Sequence, residues 1–364
     1  GAQDAPDLVH LLLKANAIIA GDSQTSPIVE AKDPRVVKIL ANHPAVPFQQ
    51  KCLGLEASIL NGLTECCKLY LEAMCENSLE VMEIGMSFMD IAASTPHTDI
   101  MQLLIDFNLH KDRYQFPLHR AVYLKNCGMV DFLLATHLFH LEKKDLSGNT
   151  PLLVAARQCH VDLCKKFVQL GSDINATATD GFTLIIGLIL ANDSEFLKEI
   201  LAKDKTNVNT PLKGKQHRSP VVVAATSDNF VEDRKRLLHI LAEAGADTRH
   251  PNILNELCEK MDSEMLKCVL EEFKPRADSH RHPFRVLISK PDRVFHPKFR
   301  EIVGTLFKYA VWSGEFADEI LALKRITAEI PDHPFMSDPI LTRMIKFYEK
   351  WPILKLLWLA YLKP

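Results

Sequence analysis

The spacing of a few glycines, threonines, prolines and alanine pairs constrains this chain more than its composition does. Gly148 and Gly181 lie 33 residues apart, and Thr150 and Thr183 keep the same interval. Pro117-Leu118-His119, followed by Ala121, precedes Pro151-Leu152-Leu153 by 34. Upstream, Gly85, Ser87 and Ala92-Ala93 reproduce the internal spacing of Gly148, Thr150 and Ala155-Ala156. Downstream, Ser219-Pro220 with Ala224-Ala225 opens another unit, which closes on Gly245-Ala246-Asp247. A fixed period of this size means one supersecondary unit repeated along the chain, each unit burying its apolar face only against its neighbours.

The clearest unit runs from Asp145 to Asn175, DLSGNTPLLVAARQCHVDLCKKFVQLGSDIN. A turn opens at Ser147-Gly148. The Thr150 hydroxyl can accept a bond from one of the unpaired amides at a helix start, and Pro151 at the first helical position has no N–H to leave unpaired. Ala155-Ala156 leaves a smooth face that another backbone can approach. A second apolar helix follows (Val161, Leu163, Phe167, Val168, Leu170) and ends at Gly171, the residue type that tolerates a left-handed conformation. This order resembles an ankyrin repeat, whose pattern is roughly D-x-x-G-x-T-P-L-H-x-A-A, a second helix, then G-A-D-x-N. Leu153 stands where the family has His, and Cys159 where it has Gly. The resemblance is strong over about residues 80–250 and implies an all-α solenoid of stacked helix-turn-helix units with helical caps. The unit starting at Ser219 carries extra residues, placed in SDNFVEDRK between its two helices.

Weaker units flank this core. Residues 52–74 have small residues, an Asn-Gly turn and an apolar second helix. Residues 252–273 pair two short helical patterns, and 283–312 read as another pair around a proline-bounded loop. Terminal units are expected to be atypical because their outer face meets solvent. DLVHLLLKANAIIA has helical periodicity and reads as an N-terminal cap, and GDSQTSPIVEAKDP reads as a linker. Trp351, Leu354, Leu357, Trp358 and Tyr361 form a helical stripe expected to cap the far end. The resulting division is a cap and linker over 1–50, a repeat stack over 51–312, and a C-terminal cap over 313–364.

Composition agrees with a folded solenoid. Hydrophobic residues make up 47% of the chain, enough for a continuous core. The net charge of -3 argues against generic affinity for nucleic acid or anionic membrane. Nine cysteines without a C-x-x-C pair fit reduced thiols in the cytoplasm or nucleus. No secretory signal is read at the start, and the apolar run WPILKLLWLAYL is too short to span a bilayer.

No nucleophile elbow, phosphate-binding loop or zinc-protease helix occurs, so no enzyme activity, cofactor or metal is expected. His280 and His282 lack a third ligand nearby in sequence and read as a solvated loop. His119 and His160 fall on family positions that make structural hydrogen bonds. Cys66-Cys67 reads as one buried and one half-exposed thiol, since adjacent helical residues point about 100° apart. The resemblance instead implies a binding surface in which turns project as fingers and first helices line a concave groove. Mapped onto this sequence, the groove positions give Glu83, Ile84, Met86 and Ser94; Asp112, Arg113, Gln115, Tyr123 and Leu124; Leu146, Ser147, Asn149, Arg157 and Gln158; Thr179, Asp180, Phe182 and Leu190; and Lys215, Gln216, Arg218 and Thr226. Arg113, Gln115, Tyr123, Asn149, Arg157, Phe182 and Arg218 are the candidate contacts, expected to face solvent, because arginine and aromatic side chains anchor interfaces. The implied function is non-enzymatic binding of a peptide or protein partner. Two alternatives are a ubiquitin-ligase substrate adaptor with a C-terminal docking region, and nucleotide or RNA sensing through Arg113, Phe182, Lys215 and Arg218.

Overall fold

The computed structural model describes residues 30–44, 46–75, 88–109, 116–213, 218–250, 252–273, 275, 283–288, 296 and 298–308. Every regular element among them is a helix. The chain divides into two compact units, Gly1–Asp173 and Ile174–Pro364. The segments DLVHLLLKANAIIA and WPILKLLWLAYL, expected to cap the ends, lie outside the described residues, as do His280 and His282.

In the first unit, α1 (Pro34–Asn42) precedes four helix pairs: α2 (Phe48–Leu60) with α3 (Thr64–Cys75), α4 (Phe88–Ala93) with α5 (Thr98–Asp106), α6 (Pro117–Tyr123) with α7 (Cys127–Ala135), and α8 (Pro151–Arg157) with α9 (Val161–Gln169). The first helices α2, α4, α6 and α8 pack in succession; α3, α5 and α7 do the same behind them, and α1 covers α3. The sequence reading ended its linker at Pro34 and placed no helix after it. Asp33 begins α1 there, its carboxylate accepting from the Arg35 amide at 2.9 Å, with Pro34 at the helix start.

The second unit repeats the plan. Its elements are α10 (Leu184–Leu190), α11 (Ser194–Lys203), α12 (Pro220–Thr226), α13 (Val231–Glu243), α14 (Asn252–Glu259), α15 (Ser263–Glu272), α16 (Pro283–Ile288) and α17 (Phe299–Lys308). Here α10, α12, α14 and α16 form one layer, and α11, α13, α15 and α17 the other.

The two layers differ because their sequences do. Apart from the 13-residue α2, first helices are short and buried on nearly every side, as in Leu184 to Ile189, and the alanine pairs at 92–93, 155–156 and 224–225 let successive backbones approach. Second helices are amphipathic: α9 buries Leu163, Cys164 and Phe167 and turns Asp162 and Lys165 outward. Caps set the boundaries. Thr150 and Thr183 accept from the Leu153 and Ile186 amides, while Asn126, Asp193 and Asp262 cap α7, α11 and α15.

Five of the turns from first to second helix place one residue in the left-handed region, Gly62, Lys125, Cys159, Asn192 or Met261, whereas the α4–α5 turn has none. That residue donates its amide to the carbonyl three residues back, as Cys159 does to Ala156 at 3.2 Å. Cys159 therefore holds, at φ 54°, the conformation for which the family pattern supplies glycine.

Candidate functional site

The finger before α8 is built by one carboxylate. Asp145 accepts from the amides of Ser147 at 2.9 Å and Asn149 at 2.8 Å, and from the Asn149 side chain at 3.0 Å. Gly148, at φ 76°, closes the turn. The Asn149 Oδ1 then accepts from Arg157 Nε at 2.7 Å, tying finger to helix. Below it, His119 is buried and its Nε2–H lies between the carbonyls of Lys143, 2.9 Å, and Asn149, 3.0 Å. Burial lowers the His119 pKa, so the neutral ring with a proton on Nε2 is the form that fits. His160 similarly reaches the Tyr123 carbonyl of the preceding repeat at 3.4 Å.

In the second unit the finger before α10 closes with Ala178 N donating to Phe182 O at 3.0 Å. Lys213 N donates to Asp180 O at 2.6 Å, which brings the next finger against it. The approach is close enough that a Cβ on Gly181 would meet Pro211 O at 2.4 Å.

This packing corrects part of the sequence expectation. Asn149, at 6% exposure, and Phe182, at 3%, are buried rather than solvent-facing. Asn149 spends its amide inside the finger, and Phe182 lies in a finger held against the next one. Arg157 is half-buried on Asn149. Arg218 bonds the buried Glu256 carboxylate at 2.8 Å. Tyr123 is half-exposed, with Arg120 over its ring at 6.0 Å. Arg113 and Gln115 lie outside the described residues, as do Glu83, Ile84, Met86, Asp112, Lys215 and Gln216.

Tyr123 was on the candidate list, and the exposed groups that the list left out beside it are apolar. Leu60, Tyr123 and Leu190 each stand two residues before a left-handed turn residue and are about half-exposed, and Leu124 follows Tyr123. Leu146, on the finger, is 82% exposed. The repeat phase gave the positions of Leu124, Leu146 and Leu190, but the preference for arginine and aromatics passed over them. Only Leu60 fell outside the mapped units.

Five of the eight described cysteines are buried, whereas Cys127 and Cys159 are exposed. Burial pushes the Cys67 and Cys164 thiols up to about 12, and Cys66 is buried beside Cys67, so the half-exposed thiol expected of that pair is absent. Among the described residues no group of three metal-ligating side chains comes together. No helix among them is long and apolar enough to cross a membrane.

Residues 89–178 match a family model described as ankyrin repeats, three copies. A fowlpox virus (strain NVSL) protein described as an ankyrin repeat protein, FPV014, is 27% identical over 150 residues, which is 39% of this chain and 33% of that protein. The chain thus spans about a third of that relative's length. Among solved structures, one titled as the predatory endopeptidase Bd0816 from Bdellovibrio bacteriovorus in complex with the immunity protein Bd3460 aligns at 21% identity. Its TM-score is 0.42, over 50% of this chain and 97% of that chain. With the period, the caps and the two-layer stacking agreeing with the family match, residues 89–178 of this chain are ankyrin repeats.

Proposed function

We propose that this protein is a non-enzymatic interaction module whose fingers and first-helix ends hold a peptide or protein partner. Ankyrin repeats generally mediate protein–protein interaction. The observation that carries the reading here is the set of large apolar side chains left exposed on that surface of the first unit: Leu60, Tyr123, Leu124 and Leu146. They belong to a layer that otherwise buries nearly all its apolar groups, and partly exposed apolar and aromatic groups are what a partner would desolvate. Tyr123 and Arg157 supply the amphipathic contacts between them, and Arg218 is the corresponding contact of the second unit. Asn149 and Phe182 support the fingers from within.

The test is affinity capture followed by binding measurements on the captured partner. Tyr123→Ala and Leu146→Ala should weaken that complex by about 2 kcal/mol or more at an anchor position, while Lys165→Ala and Lys198→Ala on the second helices should leave it unchanged. The opposite pattern would place the contact on the second-helix face and end this reading.

A further inference from the structure

The protein as a whole carries a net charge of -3, but one face of the first unit departs from that balance. Over α6, its closing turn, the next finger and α8 (residues 116–125 and 142–159), the ionised side chains are Arg120, Lys125, Lys143, Lys144 and Arg157 against Glu142 and Asp145. Both carboxylates are occupied by the fold's own amides. Glu142 accepts from the Asp173 amide at 2.9 Å, and Asp145 accepts from those of Ser147 and Asn149. Behind this face, α7 and α9 carry Asp131, Asp162, Lys165 and Lys166, two of each sign, and Lys166 pairs with Asp131. The cationic excess thus belongs to the layer that also leaves Tyr123, Leu124 and Leu146 exposed.

Two of those cations are unpaired. Arg120 lies beside Tyr123, its guanidinium carbon 6.0 Å from the ring centroid. The guanidinium forms no hydrogen bond or ion pair among the described residues; Nε is buried, while the Nη nitrogens keep accessible surface. Lys125, in the left-handed turn that ends α6, is exposed and likewise unpaired among the described residues. At the other end of the helix, Lys143 lies over the Phe116 ring at 5.0 Å. A half-buried guanidinium beside an aromatic ring is partly desolvated, so a carboxylate brought to it gains more than from a lysine in open solvent.

Charged and apolar groups follow one another along this surface. His119 ties α6 to the finger through the carbonyls of Lys143 and Asn149, and α6 packs on α8. From Pro117 to Tyr123 the helix rises about 9 Å, the length of about three extended residues. A segment lying along it would meet Lys143 at the finger, Arg120 midway, and Tyr123, Leu124 and Lys125 at the far end. Nucleic acid phosphates would answer the charges but leave Leu124 and Leu146 uncovered. A neutral apolar peptide would cover the leucines but dry Arg120 without a counter-charge, which is costly.

We propose that the partner held on this face is an acidic segment of a protein, whose carboxylates meet Arg120 and Lys125 while its large apolar side chains cover Tyr123, Leu124 and Leu146. The proposal rests on the reading of the fingers and first-helix ends as an interaction surface, and adds the chemistry of what they hold.

The test screens the immobilised full chain against a displayed library of random dodecapeptides. Synthetic copies of the enriched sequences are then measured by fluorescence anisotropy, beside a dye-labelled single-stranded RNA of mixed sequence. Enriched peptides should combine Asp or Glu with Leu, Phe, Tyr or Trp a few residues away. Lys125→Glu, at an exposed position, and Arg120→Gln, its fold checked by a thermal melt, should weaken their binding about fivefold or more. Lys165→Glu on α9 should bind them like the parent. Enrichment of neutral or basic peptides, full binding by both charge variants, tighter binding of the RNA, or no enriched peptide at all would overturn the proposal. If neutral peptides were enriched and Tyr123→Ala released them, the finger surface would stand as a binding face without an acidic partner. If Lys165→Glu released the peptides and Tyr123→Ala did not, the finger reading itself would fall.

Discussion

Truncating Phe182 to Ala removes a ring with 3% exposure from beneath a finger that the neighbouring finger presses upon. The expected cost is about 3–5 kcal/mol of stability, seen as a lower urea midpoint with an unchanged slope. A midpoint equal to the parent's would mean that the ring is not packed. His119 gives a pH signature. Burial lowers its pKa from the ordinary 6.5, so the unfolded chain binds the proton more readily than the folded one. Its contribution is therefore complete above about pH 6.5 and is lost as pH falls toward the depressed folded value. Denaturation of His119→Gln should show a smaller fall in stability between pH 7.5 and 5 than the parent does. Equal falls would assign the pH dependence to other groups.

At the scale of the element, the alanine pairs set the distance between first helices. Ala155 has no exposed surface, in a helix packed against α6. Ala155→Leu should overpack that contact and cost roughly 1–3 kcal/mol, while the same change at exposed Gln169 at the end of α9 should be nearly silent. Thermal melts of the two variants side by side would reveal the difference. Gly181 combines a φ of 81° with a Pro211 carbonyl 2.4 Å from where a Cβ would sit. Gly181→Ala should therefore destabilise by more than the roughly 1–2 kcal/mol that a left-handed conformation alone costs, because two fingers must also separate. A drop smaller than that would show that the fingers are not in contact.

For the molecule as a whole, stacking means that each repeat is stabilised by its neighbours, so core variants should act on stability and surface variants on binding. Tyr123→Ala and Leu146→Ala separate these effects: they should melt within about 0.5 kcal/mol of the parent and still lose affinity for a captured partner. A loss of stability comparable to that of Phe182→Ala would make these residues structural.

The period, the helix starts and the all-α repeat architecture were legible in the amino-acid order. These rest on local chemistry: Thr150 and Thr183 cap their own helices, prolines open α6, α8 and α12, and small residues recur wherever backbones must approach. Exposure was decided by tertiary structure. Asn149 and Phe182 occupy finger positions whose burial depends on Arg157 and on the neighbouring finger, and Arg218 is drawn to Glu256, 38 residues away. The open turn after α12, where Arg234 bonds the Ala225 carbonyl, was legible only as extra residues between two helices. Its shape comes from Ala225 and Asp262 meeting one guanidinium across a turn that can no longer close itself. A period fixes which residues begin and end each element, whereas the burial of a side chain is set by groups from the next repeat, which spacing alone does not orient.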